Sequence, residues 1–194
     1  MLAKLCAVLM RLCGWEIVGG RPPAKKYIFL CAPHTSNFDA LWLFIGARGL
    51  NMRPRVLIKS TFHVFPVKWL FNALGGIPVD RSSTSFGQAQ QLVEYAKSHD
   101  ELELVITPEG SRSYRKFWKT GFYQIALAAE IPVFLVSVDY PSGTIKIAQE
   151  PTPITGDRES DMAHIQKYYE GVRGKYPDQF GPVVLRPERK KAKS

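Results

Sequence analysis

The chain has 194 residues, which is enough for one domain with a substantial core. Hydrophobic residues make up 45% of it, and this excludes a disordered protein. Lysine and arginine number 26 against 17 acidic residues, so the formal net charge is +9. This excess indicates an anionic partner, such as nucleic acid, an acidic lipid surface or a phosphorylated substrate.

The first predicted element is an amphipathic helix in residues 1–14, ending at Gly14. Its leucines cover a wide face, whereas Lys4 and Arg11 share a narrow cationic stripe. Such a helix suits a membrane interface, and packing on the core is the alternative. Because Arg11 breaks the apolar run and no small-residue cleavage site follows, neither a membrane-spanning helix nor a signal peptide is predicted.

The cysteine pattern indicates a cytosolic protein. Cys6, Cys13 and Cys31 are odd in number and unclustered, and no metal-ligand spacing is present. We therefore interpret them as reduced core thiols, and we expect no metal.

Short apolar runs then alternate with helical patterns along the chain. The predicted strands are 27–33, 55–59, 76–79, 103–107, 131–140 and 143–149, and the last two form a pair turning at Pro141-Ser142-Gly143. The predicted helices are 38–48, 67–74, 84–98, 121–130 and 157–173. This alternation indicates a single α/β domain, in residues 15–185, with a mainly parallel, mixed sheet flanked by helices.

The segment His34-Thr-Ser-Asn-Phe-Asp39 follows the first of these strands. Positions five apart do not share a face of one helix, so the two side chains meet only if a helix begins near Asn37 with Ser36 or Asn37 as its cap. Asp39 would then orient the ring of His34, which could act as a general base. The alternative is a capping aspartate beside an incidental histidine.

Two further segments carry cations or tight turns beside predicted strands. Thr107-Pro-Glu109-Gly110-Ser111-Arg112 follows a strand and combines exposed backbone amides with a guanidinium suited to phosphate or carboxylate. The stretch from Gly75 to Arg81 places a second guanidinium just beyond a short strand. Each segment alone is compatible with an ordinary loop or a salt-bridged strand end. In α/β sheets, however, functional residues gather beyond the carboxyl ends of the strands.

Taken together and in this order, the three segments resemble the motifs of the lysophospholipid acyltransferases, the group of 1-acylglycerol-3-phosphate and glycerol-3-phosphate acyltransferases. His34 and Asp39 match H-x-x-x-x-D, Gly75 to Arg81 match G-x-x-x-x-x-R, and Glu109 to Arg112 match E-G-[TS]-R. The resemblance covers about residues 25 to 140 and implies a glycerol-3-phosphate acyltransferase-like fold.

The resemblance also implies roles for these residues. His34 takes the proton from an acceptor hydroxyl that attacks an acyl thioester, and Asp39 orients His34, without an acyl-enzyme and without a cofactor. Arg81 and Arg112 bind the acceptor phosphate, while Glu109, Gly110 and Ser111 form the remainder of the substrate-binding loop. The implied donor is acyl-CoA or acyl carrier protein, and the default acceptor is a lysophospholipid, 1-acylglycerol-3-phosphate.

The fourth block of the family departs from its usual pattern here, because Leu135 replaces a second proline. A different acceptor, such as a lyso-aminolipid, is therefore an alternative. A catalytically silent lipid-binding relative is another. A nucleic-acid-binding module is disfavoured, since no nucleic-acid fingerprint is present.

A basic tail, 186–194, is predicted to be disordered and attracted to an anionic leaflet. With the N-terminal helix, it predicts a peripheral protein on the cytoplasmic side of a membrane.

Overall fold

The computed structural model describes residues 2–59, 75–79 and 85–187. Its helices are α1 (Leu2–Leu12), α2 (Asn37–Gly49), α3 (Ser85–Lys97), α4 (Gly121–Ala129) and α5 (Arg158–Tyr169), with a short 3-10 helix at Pro177–Gln179. Its strands are β1 (Glu16–Val18), β2 (Lys26–Ala32), β3 (Arg55–Lys59), β4 (Gly76–Val79), β5 (Leu102–Ile106), β6 (Val133–Asp139) and β7 (Thr144–Ile147). The predicted helix at 67–74, Arg81 and residues 188–194 of the predicted tail lie outside the described residues. Arg186, the first residue of the predicted disordered tail, instead donates its backbone amide to the carbonyl of Trp118 at 3.0 Å.

The described strands form one sheet in the order β1-β7-β6-β2-β5-β3-β4. All neighbouring strands are parallel except β6 and β7, which form the antiparallel pair predicted from the sequence. Strand β2 lies in the middle, between β5 and β6. The predicted α/β domain with a mainly parallel, mixed sheet is confirmed.

The sheet is buried on both faces because its central strands are apolar at nearly every position, and successive side chains point to opposite faces. On β2, Tyr27, Phe29 and Cys31 face the side covered by α1 and α2. Ile28 and Leu30 face the opposite side, covered by α3, α4 and α5. The carboxyl end of β2 therefore opens between two packed layers.

Helix α5 is shorter than the predicted 157–173. It begins after Asp157, whose carboxylate caps the first turn, and ends at Tyr169. The chain leaves the helix because Glu170 is extended and Gly171 adopts a positive φ of 75°.

Helix α1 packs along α2 and leaves most of its leucines in contact with solvent. Met10 is 2% exposed, whereas Leu5 is 64% and Leu12 is 81% exposed. Gly49 at the end of α2 lies close to the backbone of Ala3 and Ala7, so the two helices run antiparallel. No helix among the described residues is long and apolar enough to cross a bilayer.

The three cysteines are free thiols. Cys31 is buried, as predicted, but Cys13 is exposed, so the interpretation as core thiols is wrong for Cys13. Cys13 follows the last residue of α1, where the chain turns at the surface.

Candidate active site

The segment after β2 folds so that His34 and Asp39, the predicted catalytic dyad, can meet. Helix α2 begins at Asn37, and the side chain of Ser36 accepts a hydrogen bond from the backbone amide of Phe38. Asp39 occupies the third position of the helix and completes a capping box, because its carboxylate accepts from the backbone amide of Ser36 at 2.8 Å. The break before Asn37 is therefore built by polar groups that the sequence itself supplies.

The capping box brings Asp39 back to His34. Nδ1 of His34 lies 3.3 Å from Oδ2 of Asp39, an ion-pair distance that does not reach hydrogen-bond geometry. Dyad contacts of this kind commonly shorten when substrate binds. The His34 side chain is 20% exposed and that of Asp39 only 1%, so the histidine is the accessible member of the pair.

Asp39 is a buried carboxylate that is held from several directions. Oδ2 also accepts from the backbone amide of Thr35 at 2.7 Å, and Oδ1 accepts from the hydroxyl of Tyr140 at 2.7 Å. Burial by itself would raise the pKa of Asp39, but His34, the amides and the Tyr140 hydroxyl outweigh it and hold that pKa below its ordinary value. Asp39 is therefore ionised, as a partner for an imidazolium must be.

Glu109 lies beside His34 rather than on the cavity wall. Its Oε2 accepts a hydrogen bond from the backbone amide of His34 at 2.7 Å, and the residue is 4% exposed. Burial, with the nearby Asp39 charge, raises the pKa of Glu109 to about 8, although the bond from His34 acts in the opposite direction. The sequence predicted a substrate-binding loop residue, and this geometry is that of a residue that holds the His34 backbone.

The raised pKa of Glu109 predicts a pH dependence of stability. The native protein keeps this proton up to about pH 8, whereas the unfolded chain releases it near 4.5. The free energy of unfolding should therefore fall as pH rises from 5 to 8, by on the order of 3 kcal/mol from this group. Glu109→Gln should flatten the profile measured by urea denaturation, while Glu94→Gln on the exposed face of α3 should not. An unchanged slope in Glu109→Gln would contradict this assignment.

The loop after Glu109 reaches the cavity. Gly110 has a φ of 63°, a backbone conformation that favours glycine, whereas a Cβ there would meet only the movable end of the Lys119 side chain. Gly110, Ser111 and Arg112 all line the same cavity as His34. Arg81, the second predicted phosphate ligand, falls outside the described residues.

The cavity has a volume of about 1750 Å³, and its lining combines apolar residues with cations. Apolar residues on the α2 side of the sheet include Phe29, Leu43, Phe44, Ala47, Met52, Val136, Ile145 and Ile147, and those on the α3 and α4 side include Leu57, Ala89, Leu92, Phe122 and Ile125. Five cations also line it, Arg112, Arg115, Lys119, Arg158 and Arg186. No aspartate or glutamate is present among the described lining residues. This cavity suits a molecule with a long apolar chain and an anionic group.

Two kinds of site residue were not predicted. Tyr140 follows β6 just as His34 follows β2, and parallel strands β2 and β6 are neighbours, so its position past a carboxyl end was the available signal. Arg115, Arg158 and Arg186 match no motif. They reach the cavity from separate parts of the chain, and no local pattern in the sequence indicates this.

These features can be compared with known proteins. The acyltransferase family matches residues 18–139, more than half of the chain, and this range includes His34, Asp39 and the Glu109 loop. The chain therefore belongs to the acyltransferase family. Its class of activity is acyl transfer.

The fold is similar to that of the 1-acyl-sn-glycerophosphate (LPA) acyltransferase PlsC from Thermotoga maritima. The two chains are 20% identical, and the TM-score is 0.56 over 87% of this chain and 73% of the other. At this identity the likeness concerns the fold. No curated protein sequence matches the chain significantly.

Proposed function

We propose that this enzyme transfers a fatty acyl group from a thioester donor, acyl-CoA or acyl carrier protein, to the hydroxyl of a lysophospholipid in phospholipid biosynthesis. The preferred acceptor is 1-acylglycerol-3-phosphate. The observation that carries the proposal is the position of His34, which lines a cavity whose wall has both apolar and basic side chains. A fatty chain and a phosphate would contact these two sets of side chains and leave the reacting groups beside the histidine.

In the proposed mechanism, His34 removes the proton of the acceptor hydroxyl as that oxygen attacks the thioester carbonyl. Asp39 stabilises the imidazolium and fixes the ring. The tetrahedral intermediate then collapses, the carbon–sulfur bond breaks, and His34 returns the proton to the leaving thiolate. General-base catalysis contributes roughly 10²–10⁴-fold, so positioning and stabilisation of the oxyanion supply the remainder. Backbone amides of the Gly110 loop are the candidates for the oxyanion site.

The altered fourth block does not argue against this acceptor. Leu135 is 2% exposed and belongs to the core on the α3, α4 and α5 side of the sheet. It is not among the described residues that line the cavity, whereas Val136 is. The Leu135 side chain therefore forms no part of the described wall of the cavity.

A transfer assay tests the proposal directly. Purified enzyme is given labelled acyl-CoA or acyl carrier protein, with 1-acylglycerol-3-phosphate, glycerol 3-phosphate or uncharged lysolipids as acceptors. We expect product with the phosphorylated lysolipid, and Arg112→Ala should raise its KM by roughly tenfold or more because one charge-assisted contact is lost.

The control for this variant is Arg55→Ala, which changes an exposed arginine on β3 that is not among the described cavity residues. Equal loss with charged and uncharged acceptors would contradict a phosphate role for Arg112. No transfer to any acceptor by folded protein would overturn the proposed function.

We also propose that the enzyme acts as a peripheral protein at an anionic membrane surface. The exposed apolar residues of the two packed helices form what we name the α1–α2 surface, consisting of Leu2, Leu5, Val8, Leu9, Leu12, Phe38 and Leu41. Leu41 also lines the cavity, so the surface reaches the cavity mouth. Lys4 and Arg11 are exposed on the same helix and would face anionic headgroups.

Charged substitutions on this surface should weaken membrane binding. We expect the double variant Leu5→Glu, Leu12→Glu to bind vesicles containing phosphatidylglycerol about tenfold or more weakly, because two exposed apolar side chains no longer enter the interface. Vesicle co-sedimentation measures this. The control is Leu127→Glu, which makes the same change at an exposed leucine on α4, outside the α1–α2 surface. Wild-type binding by the double variant would exclude α1 as the membrane contact.

A further inference from the structure

The hydroxyl of Tyr140, the residue directly after β6, reaches the pair of His34 and Asp39 from a distant part of the sequence. It donates to Oδ1 of Asp39 at 2.7 Å across 101 positions of sequence. The other oxygen, Oδ2, receives two backbone amides and faces Nδ1 of His34. Asp39 itself is 0% exposed, so water does not replace these donors.

The ring of Tyr140 has a fixed place. Its edge meets the ring of Trp15 at 5.0 Å and 90°, and Trp15 stacks on Trp42 of α2 at 5.1 Å. The backbone amide of Tyr140 donates to the carbonyl of Arg173 at 3.0 Å. Because both its ring and its backbone are held, Tyr140 can keep its hydroxyl at a fixed position beside Asp39.

We propose that Tyr140 is a positioning residue for acyl transfer, and that its hydroxyl fixes the Asp39 carboxylate in the orientation that faces His34. The terminal torsion of an aspartate is soft and has two nearly equivalent settings. Hydrogen bonds to Oδ2 alone would allow the carboxylate to rotate about that oxygen. The hydrogen bond from Tyr140 to Oδ1 prevents this rotation. This inference rests on the proposed function, in which His34 is the base.

The same contacts connect the dyad to the N-terminal helix. The backbone amide of Trp15 donates to the carbonyl of Met10 in α1 at 2.8 Å, and the Trp15 ring supports Tyr140. The order of contact from α1 to the base is therefore Trp15, Tyr140, Asp39 and His34. Trp15 contributes to the site by holding Tyr140.

The test replaces Tyr140 with phenylalanine, which removes only the hydroxyl. We expect kcat to fall roughly 10- to 100-fold with KM unchanged, since the cavity is intact. The chain supplies a matched control: Tyr123 donates to the buried Asp161 at 2.7 Å, and Asp161 also accepts backbone amides from Thr155 and Gly156. Tyr123→Phe therefore removes the same kind of bond away from His34 and should keep kcat within about twofold.

A second readout does not depend on turnover. Loss of a donor to the ionised form should raise the pKa of Asp39, measured by carbon-13 NMR titration of its carboxyl group. The titratable groups near the Asp39 carboxylate are His34, Glu109 and Tyr140. Tyr176 in turn acts on Tyr140. A raised midpoint with a lower kcat supports the proposal. An unchanged midpoint, or a kcat within twofold of wild type, overturns it even where stability is lost.

Two outcomes need a separate measurement. If the wild-type enzyme transfers no acyl group, the proposed function fails, and the Asp39 titration still decides whether Tyr140 holds that carboxylate. If Tyr140→Phe does not fold, Trp15→Phe decides instead: it keeps an apolar ring, and a severalfold lower kcat is expected because Tyr140 loses its edge contact. Full activity and an unchanged Asp39 midpoint in folded Trp15→Phe would then overturn the proposal.

Discussion

Replacing His34 with alanine is expected to lower kcat by roughly 10²–10⁴-fold, while KM stays within a few-fold of the wild-type value. The loss should be confined to the chemical step because His34 supplies the base, while the apolar and basic residues that bind the substrates are unchanged. The fold should survive, since Glu109 binds the backbone amide of His34 and alanine keeps that amide. Steady-state kinetics with the acceptor identified by the transfer assay measures the change.

The controls for this variant are His99→Ala and His164→Ala, which change exposed histidines in other parts of the chain. Both should keep wild-type kcat. Added imidazole should restore part of the lost rate in His34→Ala, because a small base fits the space that the ring vacates. If His34→Ala retained more than about a tenth of the activity, the general-base mechanism would be wrong.

The variant Asp39→Asn is expected to lower kcat by roughly 10²–10³-fold and to keep the fold at reduced stability. The amide oxygen must take the place of Oδ2, where two backbone amides donate, so the amide nitrogen faces Tyr140. His34 then meets a neutral oxygen that cannot stabilise an imidazolium. Kinetics and thermal unfolding together measure the two effects.

Asp161→Asn is the matched control, because Asp161 is 1% exposed and likewise accepts a tyrosine hydroxyl and backbone amides. Its third type of partner is the hydroxyl of Thr155 in place of a histidine ring. We expect a comparable loss of stability with little loss of kcat. Equal loss of kcat in the two variants would assign the effect of Asp39 to folding alone.

Local patterns in the sequence were enough to predict the central part of this site. A break at Ser36 followed by a helix follows from capping preferences, and it determines how His34 and Asp39 meet. The apolar runs of β2 and β6 are short and nearly continuous, as expected for strands buried on both faces, so the α/β class could also be predicted. The start of α2 and the turn before β7 depend on residues close in sequence.

Contacts between residues that are far apart in the sequence could not be predicted, because no local pattern indicates them. Glu109 binds the amide of His34 across 75 positions, and Tyr140 binds Asp39 across 101. Their identity depends on which strands become neighbours in the sheet, and hydrophobic pattern alone leaves that order open. The sequence therefore indicated Glu109 as part of a motif but not what its carboxyl group contacts.

The capping box of α2 has a consequence for how this enzyme tolerates change. The carboxyl group of Asp39 both caps a helix and supports the base. A mutation there should therefore lower both the stability and the activity. In a library of random variants screened only for folding, position 39 should already be depleted of substitutions, whereas position 34 should not. Comparing such a screen with one for activity would separate residues that evolution keeps for shape from those it keeps for chemistry, and Asp39 should belong to both groups.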